Sequence, residues 1–249
     1  MSPLWWGIVG SLVAGLATGV GGIPVLFPSL HRISHRFHDE LLGFAAGVML
    51  AASAFSLLVP AIEVGGAWPA FFGVALGALF LDLLDRAIPH EHFEKGQEGP
   101  ASRLRKIWLF VIAITLHNFP EGLAVGVSFG SGNITTGTVV ATAIGLQNIP
   151  EGMAVAISLL SVGYTRTQAF LIALLTGLVE PLGGLLGAGL VSVMHSFLPW
   201  GMSLAAGAMI FVIGDEIIPE THHRENARFT TYALMLGFMV MMLLDNVLS

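Results

Sequence analysis

Eight long apolar stretches divide this chain, and each is long enough to cross a lipid bilayer as a helix. They cover residues 4–28, 41–62, 68–88, 105–130, 136–161, 167–195, 200–220 and 229–248. A hydrocarbon core about 30 Å thick requires about 20 mostly apolar helical residues. Because 55% of the residues are hydrophobic and only 10% are charged, the composition excludes an ordinary soluble domain. The sequence therefore predicts an all-α polytopic protein of the lipid bilayer, with residues 1–249 forming one transmembrane domain.

The basic residues predict how the chain is oriented. All ten lysines and arginines fall on the side of the membrane at which the odd-numbered stretches end, and two of them, Lys95 and Arg103, lie in a polar loop at about 89–104. Because positive charge accumulates on the cytoplasmic side of membrane proteins, this loop is predicted to be cytoplasmic and both termini extracytoplasmic. The first stretch lacks a preceding positive region and a cleavage site, so it is expected to be retained as a span.

Charge and cysteine content limit the partners of the chain. A formal net charge of −6, with ten scattered basic residues, argues against binding to nucleic acid. The sequence has no cysteine, so a metal ion would have to be bound through nitrogen, oxygen or thioether ligands.

A polar motif occurs twice inside the predicted fourth and fifth spans. Residues 117–125 read HNFPEGLAV and residues 147–155 read QNIPEGMAV. An ionised carboxylate at the bilayer centre costs roughly 2.5 to 3.5 kcal/mol, so it is retained only where something offsets that cost. Helical spacing places the polar residues of each copy on one face. These six residues are His117, Asn118, Glu121, Gln147, Asn148 and Glu151.

Prolines accompany the acidic residues of three central spans. Pro120 and Pro150 lie inside the two motif copies, and Glu180 precedes Pro181 in the sixth span. A proline cannot donate to the carbonyl one turn earlier, and such interrupted helices near the membrane midplane form cation sites in transporters. With Glu180, three carboxylates are predicted to converge, which is more charge than polar packing requires.

The ligand types indicate the ion. Imidazole nitrogen combined with carboxylate and amide oxygen suits Zn²⁺ and neighbouring divalent ions. The leading hypothesis is therefore a transporter of divalent transition-metal ions, with the metal as transported substrate and no prosthetic group. Two alternatives remain: an intramembrane zinc hydrolase, although the sequence lacks a His-Glu-x-x-His motif, and a cation/proton exchanger that uses the carboxylates without a stable metal.

The chain resembles the ZIP (Zrt-, Irt-like) family of divalent metal transporters, especially its bacterial GufA-like branch. His117-Asn118-x-x-Glu121 is similar to the signature of the fourth span of that family, Gln147-Asn148-x-x-Glu151 to that of the fifth, and Glu180 to the carboxylate of the sixth. The resemblance implies a 3+2+3 arrangement of eight helices and a bacterial inner-membrane location. It also implies movement of Zn²⁺, or of Cd²⁺, Fe²⁺ or Mn²⁺, toward the cytoplasm by alternating access, with one bundle sliding against another.

The resemblance further implies two adjacent metal positions at mid-membrane. The first comprises Met49, His117, Glu121, Gln147 and Glu151, and the second comprises Asn118, Glu121, Asn148, Glu151 and Glu180. Met49 is identified only through the match of residues 47–50, and a thioether ligand would favour softer ions such as Cd²⁺. Asn148 stands where related bacterial sequences often have Asp, which implies weaker binding at the second position.

Histidines on the cytoplasmic side suggest an exit path for the metal. His90 and His92 lie in the long polar loop, and His222 and His223 follow the seventh span. Their alternative role is that of ordinary solvated residues.

A homodimer is a candidate assembly.

Overall fold

The computed structural model describes residues 2–27, 35–88, 90–92, 96–98, 106–222 and 227–248. The helices of this part of the chain are α1 (Pro3–Gly22), α2 (His35–Ala51), α3 (Val59–Gly65), α4 (Ala67–Ala87), α5 (Lys106–Gly130), α6 (Ile134–Ser161), α7 (Arg166–Gly177), α8 (Glu180–Val193), α9 (Leu198–Val212), α10 (Ile218–His222) and α11 (Ala227–Leu248). Short 3₁₀ segments occupy Ile23–Leu26 and His195–Phe197, and π-helical segments occupy Ala52–Leu58 and Ile213–Ile217.

Seven helical segments in the described residues are long and apolar enough to cross a membrane. They are Pro3–Leu26, Arg36–Gly65, Ala67–Ala87, Ile134–Ser161, Arg166–Val193, His195–Ile217 and Ala227–Val247. These segments confirm a helical membrane protein and agree closely with the predicted stretches. The predicted stretch at 105–130 corresponds to α5, a helix of 25 residues that packs against α1, α6 and α8.

The polar loop predicted at about 89–104 contains the strands of the described chain. Strand β1 (His90–His92) pairs with β2 (Gly96–Glu98) in an antiparallel ribbon, and His90 lies opposite Glu98. β1 also packs against α5. The described strands of this loop therefore form a two-stranded ribbon beside the helix that carries the first motif copy.

Glycines bring the backbones of α1, α5, α6, α7 and α8 into direct contact, and these helices are named here the α5–α6 group. A Cβ on Gly152 would overlap the carbonyl of Thr18 in α1, and a Cβ on Gly122 would overlap the carbonyl of Glu180 in α8. Small residues allow this approach in lipid, where the hydrophobic effect does not drive helices together. The two motif-bearing helices are thus held tightly to α1 and α8.

Helices α2, α3, α4, α9 and α11, with the two π-helical segments that follow α2 and α9, are named the α2–α9 group. Within it, Gly47 of α2 touches the backbone of Leu234 in α11, and Gly77 of α4 touches the backbone of Leu204 in α9. Contact between the two groups runs mainly through α2 with α6 and α5 with α9. At the second of these contacts Gly201 of α9 faces the side chain of Val127 rather than a backbone.

Several helices depart from regular α geometry near the middle of the molecule. Each π-helical segment is followed within two residues by a proline, Pro60 or Pro219, which cannot donate a hydrogen bond to the preceding turn. The predicted sixth span, 167–195, is in fact two helices, because α7 ends at Gly177 and α8 begins at Glu180. This break places the carboxylate of Glu180 at the first residue of a new helix inside the span.

Candidate metal centre

The predicted ligands on the spans all lie in the protein interior. His117 and Glu151 expose 6% and 5% of their surface, and the others expose 1% or less. The others are Met49, Asn118, Glu121, Gln147, Asn148 and Glu180. Since α2, α5, α6 and α8 supply these residues, the polar faces point at neighbouring helices and away from lipid, as the paired motifs predicted.

Amide side chains of α6 connect the carboxylates of two neighbouring helices. Gln147 donates from Nε2 to Oε1 of Glu121 on α5. Asn148 donates from Nδ2 to Oε1 of Glu180 on α8 at 2.5 Å and to the carbonyl oxygen of Ala14 on α1 at 2.8 Å. Helix α6 therefore lies at the centre of the polar cluster and supplies its hydrogen-bond donors.

Several buried oxygens at the cluster have no hydrogen-bond partner. They are Oε2 of Glu121, Oε1 of Gln147, Oδ1 of Asn148, Oε2 of Glu180 and Oδ1 of Asn118. A buried polar atom without a partner costs about 1 to 3 kcal/mol, so a fold that retains several of them calls for an explanation. Carboxylate and amide oxygens that converge from three helices provide the kind of ligands that a divalent cation requires.

The three glutamates also lie close enough to influence one another electrostatically. Glu121 interacts with Glu151 and Glu180, and Glu180 interacts with Glu151. In a poorly polarisable interior, three ionised carboxylates at such range repel each other strongly. The negative charge of these carboxylates must therefore be neutralised, either by bound cations or by protons.

A fourth buried carboxylate, which the sequence analysis did not single out, contacts the imidazole. Nε2 of His117 lies 2.5 Å from Oε2 of Glu216, a residue 3% exposed in the π-helical segment after α9. This contact joins the α5–α6 group to the α2–α9 group. The signal in the sequence was an acidic residue inside the apolar stretch 200–220, shortly before Pro219, which repeats the association of glutamate and proline in the other spans.

The cluster consists of pairs rather than of one closed shell of charged ligands. Among the described residues, no three His, Asp or Glu side chains converge in a way that could hold a metal ion. The carboxylates of Glu121 and Glu180 instead face amides, and His117 faces Glu216. Met49 is buried on α2 among the apolar residues of the main core.

The four histidines of the predicted exit path lie in or beside β1 and α10. His90 and His92 belong to β1, and His222 is the last residue of α10, but their side chains are not among those described. His223 lies outside the described residues. The assignment of these four histidines to metal transfer therefore stays a prediction.

Comparison with known proteins gives a consistent picture over nearly the whole chain. The family model of the ZIP zinc transporters matches residues 85–245. The zinc transporter ZIPB of Bordetella bronchiseptica is 45% identical over 254 residues, covering 98% of this chain and 82% of that protein. The zinc transporter GufA of Myxococcus xanthus is 44% identical over 249 residues, covering 96% and 97%. The zinc transporter ZIP11 of Homo sapiens is 36% identical over 323 residues, covering 93% of each chain.

Proposed function

Because this chain belongs to the ZIP zinc transporter family, we propose that it carries zinc and chemically similar divalent ions across a membrane. The metal is the transported substrate and not a prosthetic group. Relatives that cover almost the full chain are named as zinc transporters, which supports transport rather than an intramembrane hydrolase.

The observation that carries this proposal is the set of unpartnered buried oxygens at the polar cluster. Glu121, Asn118 and Glu180 each have such an oxygen, and all three side chains are fully buried. Polar packing alone would leave these atoms bonded to each other. A divalent cation would satisfy them and offset the negative charge of the glutamates.

We assign the principal ion position to the residues predicted for it: Met49, His117, Glu121, Gln147 and Glu151. Their burial and the free oxygens of Glu121 and Gln147 support this set. The imidazole favours Zn²⁺, and the thioether of Met49 extends the range to Cd²⁺, with Fe²⁺ and Mn²⁺ as weaker candidates. The residues predicted for a second position border the first, since Glu121 and Glu151 belong to both.

The arrangement of the helices supports alternating access toward the cytoplasm. In the proposed 3+2+3 order, α5 is the fourth of eight spans and α6 is the fifth. Both motif copies then lie on the central pair of helices, which belongs to the α5–α6 group. Met49 and Glu216 approach from the α2–α9 group. Because glycine contacts fix each group internally while side chains meet between the groups, sliding at that interface would disturb the fewest backbone contacts. We place both termini outside the cytoplasm of a bacterial cell and the chain in the inner membrane.

Transport by purified protein in sealed vesicles tests the proposal. We expect uptake of Zn²⁺, read by a trapped fluorescent indicator, to fall at least about 100-fold in Glu121→Gln, because one carboxylate ligand is lost. The control is Glu40→Gln, the same change at a partly exposed residue that pairs with Arg36 at 2.7 Å; uptake should stay within about twofold of wild type. Absence of flux for Zn²⁺, Cd²⁺, Fe²⁺ and Mn²⁺ would refute the function. Equal flux in wild type and Glu121→Gln would refute the site.

A further inference from the structure

A cleft at the turn between α6 and α7 lies apart from the polar cluster. Its volume is about 540 Å³, and it is lined by Leu160, Tyr164, Thr165, Arg166 and Thr167. Leu160 lies nine positions after Glu151 on α6, which corresponds to about 14 Å along a helix axis. None of these described lining residues is acidic, and Arg166 gives the cleft a positive charge. The cleft stands at the end of the bundle where the basic residues of the sequence fall.

The guanidinium of Arg166 is held by the segment that follows α1. Its Nη1 donates to the carbonyl oxygen of Val25, in the 3₁₀ segment Ile23–Leu26, at 3.2 Å. A carbonyl has no net charge, so this bond orients the guanidinium and leaves its positive charge in place. The planar guanidinium matches the oxygens of a phosphate group better than an ammonium does. An oriented, partly buried arginine is therefore suited to an anionic phosphate.

The backbone donors at the start of α7 are satisfied within the chain. Oγ1 of Thr165 accepts a hydrogen bond from the backbone N–H of Gln168 at 3.3 Å, and Oε1 of Gln168 accepts one from the backbone N–H of Thr165 at 3.0 Å. This reciprocal pair is a capping box, which closes the amino end of the helix. The attraction for an anion therefore comes from Arg166 and not from the end of the helix.

An aromatic pair indicates that the cleft lies at the level of the lipid headgroups. Trp108, near the start of α5, packs edge-on against Tyr164 with the ring centroids 6.1 Å apart, and 39% of Trp108 is exposed. Tryptophan and tyrosine are enriched where hydrocarbon meets headgroups, because each ring is apolar while its N–H or O–H can donate. Leu160 adds an apolar surface to the lining. A ligand with both a phosphate and an acyl chain fits this combination better than a free phosphate does.

We infer that this cleft binds the headgroup of an anionic phospholipid, with the phosphate at the guanidinium of Arg166 and an acyl chain along Leu160. Basic pockets between membrane helices bind such headgroups through the same attraction. The groups around the cleft come from α5, α6, α7 and the segment after α1. The bound lipid therefore joins helices of the α5–α6 group at the membrane surface and stabilises the fold. This inference does not depend on which ion the protein carries.

Lipid retention by the purified full chain tests the inference. The protein is placed in micelles that contain equal amounts of anionic phosphatidylglycerol and of phosphatidylcholine, which has no net charge. Mass spectrometry of the intact complexes then counts the lipids that remain bound. We expect the wild type to retain phosphatidylglycerol about fivefold more than phosphatidylcholine, and Arg166→Gln to retain both about equally. Arg166→Lys, which keeps the charge but loses the planar group, should show an intermediate preference.

Arg86→Gln is the matched control. Arg86 lies in the last turn of α4, at the same end of the bundle but outside the cleft, and its Nη2 lies 3.0 Å from Oδ1 of Asp82. Because this arginine is exposed and already paired with a carboxylate, the preference for phosphatidylglycerol in Arg86→Gln should equal that of the wild type.

The melting temperature distinguishes a lipid from a free phosphate. Phosphatidylglycerol should raise the melting temperature of the wild type by about 3 °C more than phosphatidylcholine does, and inorganic phosphate at the same concentration should leave it unchanged. An equal rise with inorganic phosphate would overturn the assignment to a lipid. Equal retention of both lipids by the wild type would overturn the site, whether or not Arg166→Gln folds. A wild-type preference in Arg166→Gln would overturn the role of the guanidinium.

Discussion

The two copies of the motif are nearly identical in sequence but differ in their hydrogen-bond partners. In the second copy, Gln147 and Asn148 are both donors to carboxylates of neighbouring helices. In the first copy, Glu121 is an acceptor and neither amide atom of Asn118 has a partner. The asparagine at the second position of the motif therefore makes a structural hydrogen bond in one helix and has unpartnered amide atoms in the other.

The glycines of the two copies have, by contrast, the same role. Gly122 and Gly152 both allow another backbone to touch their helix, although the partners are Glu180 of α8 in one case and Thr18 of α1 in the other. The repeated Pro-Glu-Gly segment therefore determines packing and the placement of the carboxylate. The surrounding helices determine which polar atoms have no hydrogen-bond partner. Substitutions at matched positions of the two copies can separate these two roles.

The largest effect is expected where a side chain would separate the two backbones. In Gly152→Ala, the new Cβ would overlap the carbonyl of Thr18, so the free energy of unfolding should fall by about 3 kcal/mol or more. Gly122→Ala should behave alike because its Cβ would overlap the carbonyl of Glu180. Thermal unfolding in detergent measures both.

Gly145, on the same helix as Gly152, is the control for this prediction. A Cβ at Gly145 would meet its nearest atoms, in Ala14 and Ala17, at 3.8 Å, which is ordinary contact. Gly145→Ala should therefore stabilise the helix by about 0.5 to 1 kcal/mol. Equal melting temperatures for Gly145→Ala and Gly152→Ala would show that close backbone approach is not what the motif glycines provide.

A smaller difference is expected between the two asparagines. Asn148→Ala leaves an oxygen of Glu180 and the carbonyl of Ala14 without this donor, so unfolding free energy should fall by about 2 kcal/mol. Asn118→Ala removes an amide that has no partner, and stability should change by less than about 1 kcal/mol. Zn²⁺ flux should fall in both variants. If Asn118→Ala destabilises the protein as much as Asn148→Ala, the two copies do not differ as the structure indicates.

Much of this architecture could be predicted from the sequence because it depends on local rules. Apolar length predicts the spans, and the cost of burying Glu121 or Glu151 in lipid predicts that they face the protein. The interruption predicted beside Pro181 is present as the break between α7 and α8, whereas α5 and α6 continue as helices through Pro120 and Pro150.

Sequence patterns could not predict the contacts between helices that are distant in sequence. The pairing of His117 with Glu216 depends on how α9 packs on α5 and on a π-helical segment that regular helical spacing does not reveal. Likewise, the carbonyl of Ala14 as acceptor for Asn148 follows only from the close approach of α1 and α6.

The smallest expected effect concerns ion preference and tests the one position where the copies differ most in chemistry. His117→Gln makes the first two residues of both copies identical and replaces imidazole nitrogen with an amide that suits harder ions. The preference for Zn²⁺ over Mn²⁺ should fall about tenfold, or about 1.4 kcal/mol, in competition uptake by vesicles. His195→Gln, the same change at an exposed residue before α9, should leave the preference unchanged. An unaltered preference in His117→Gln would mean that the imidazole serves its contact with Glu216 and not the ion, so the difference between the copies would be one of helix packing alone.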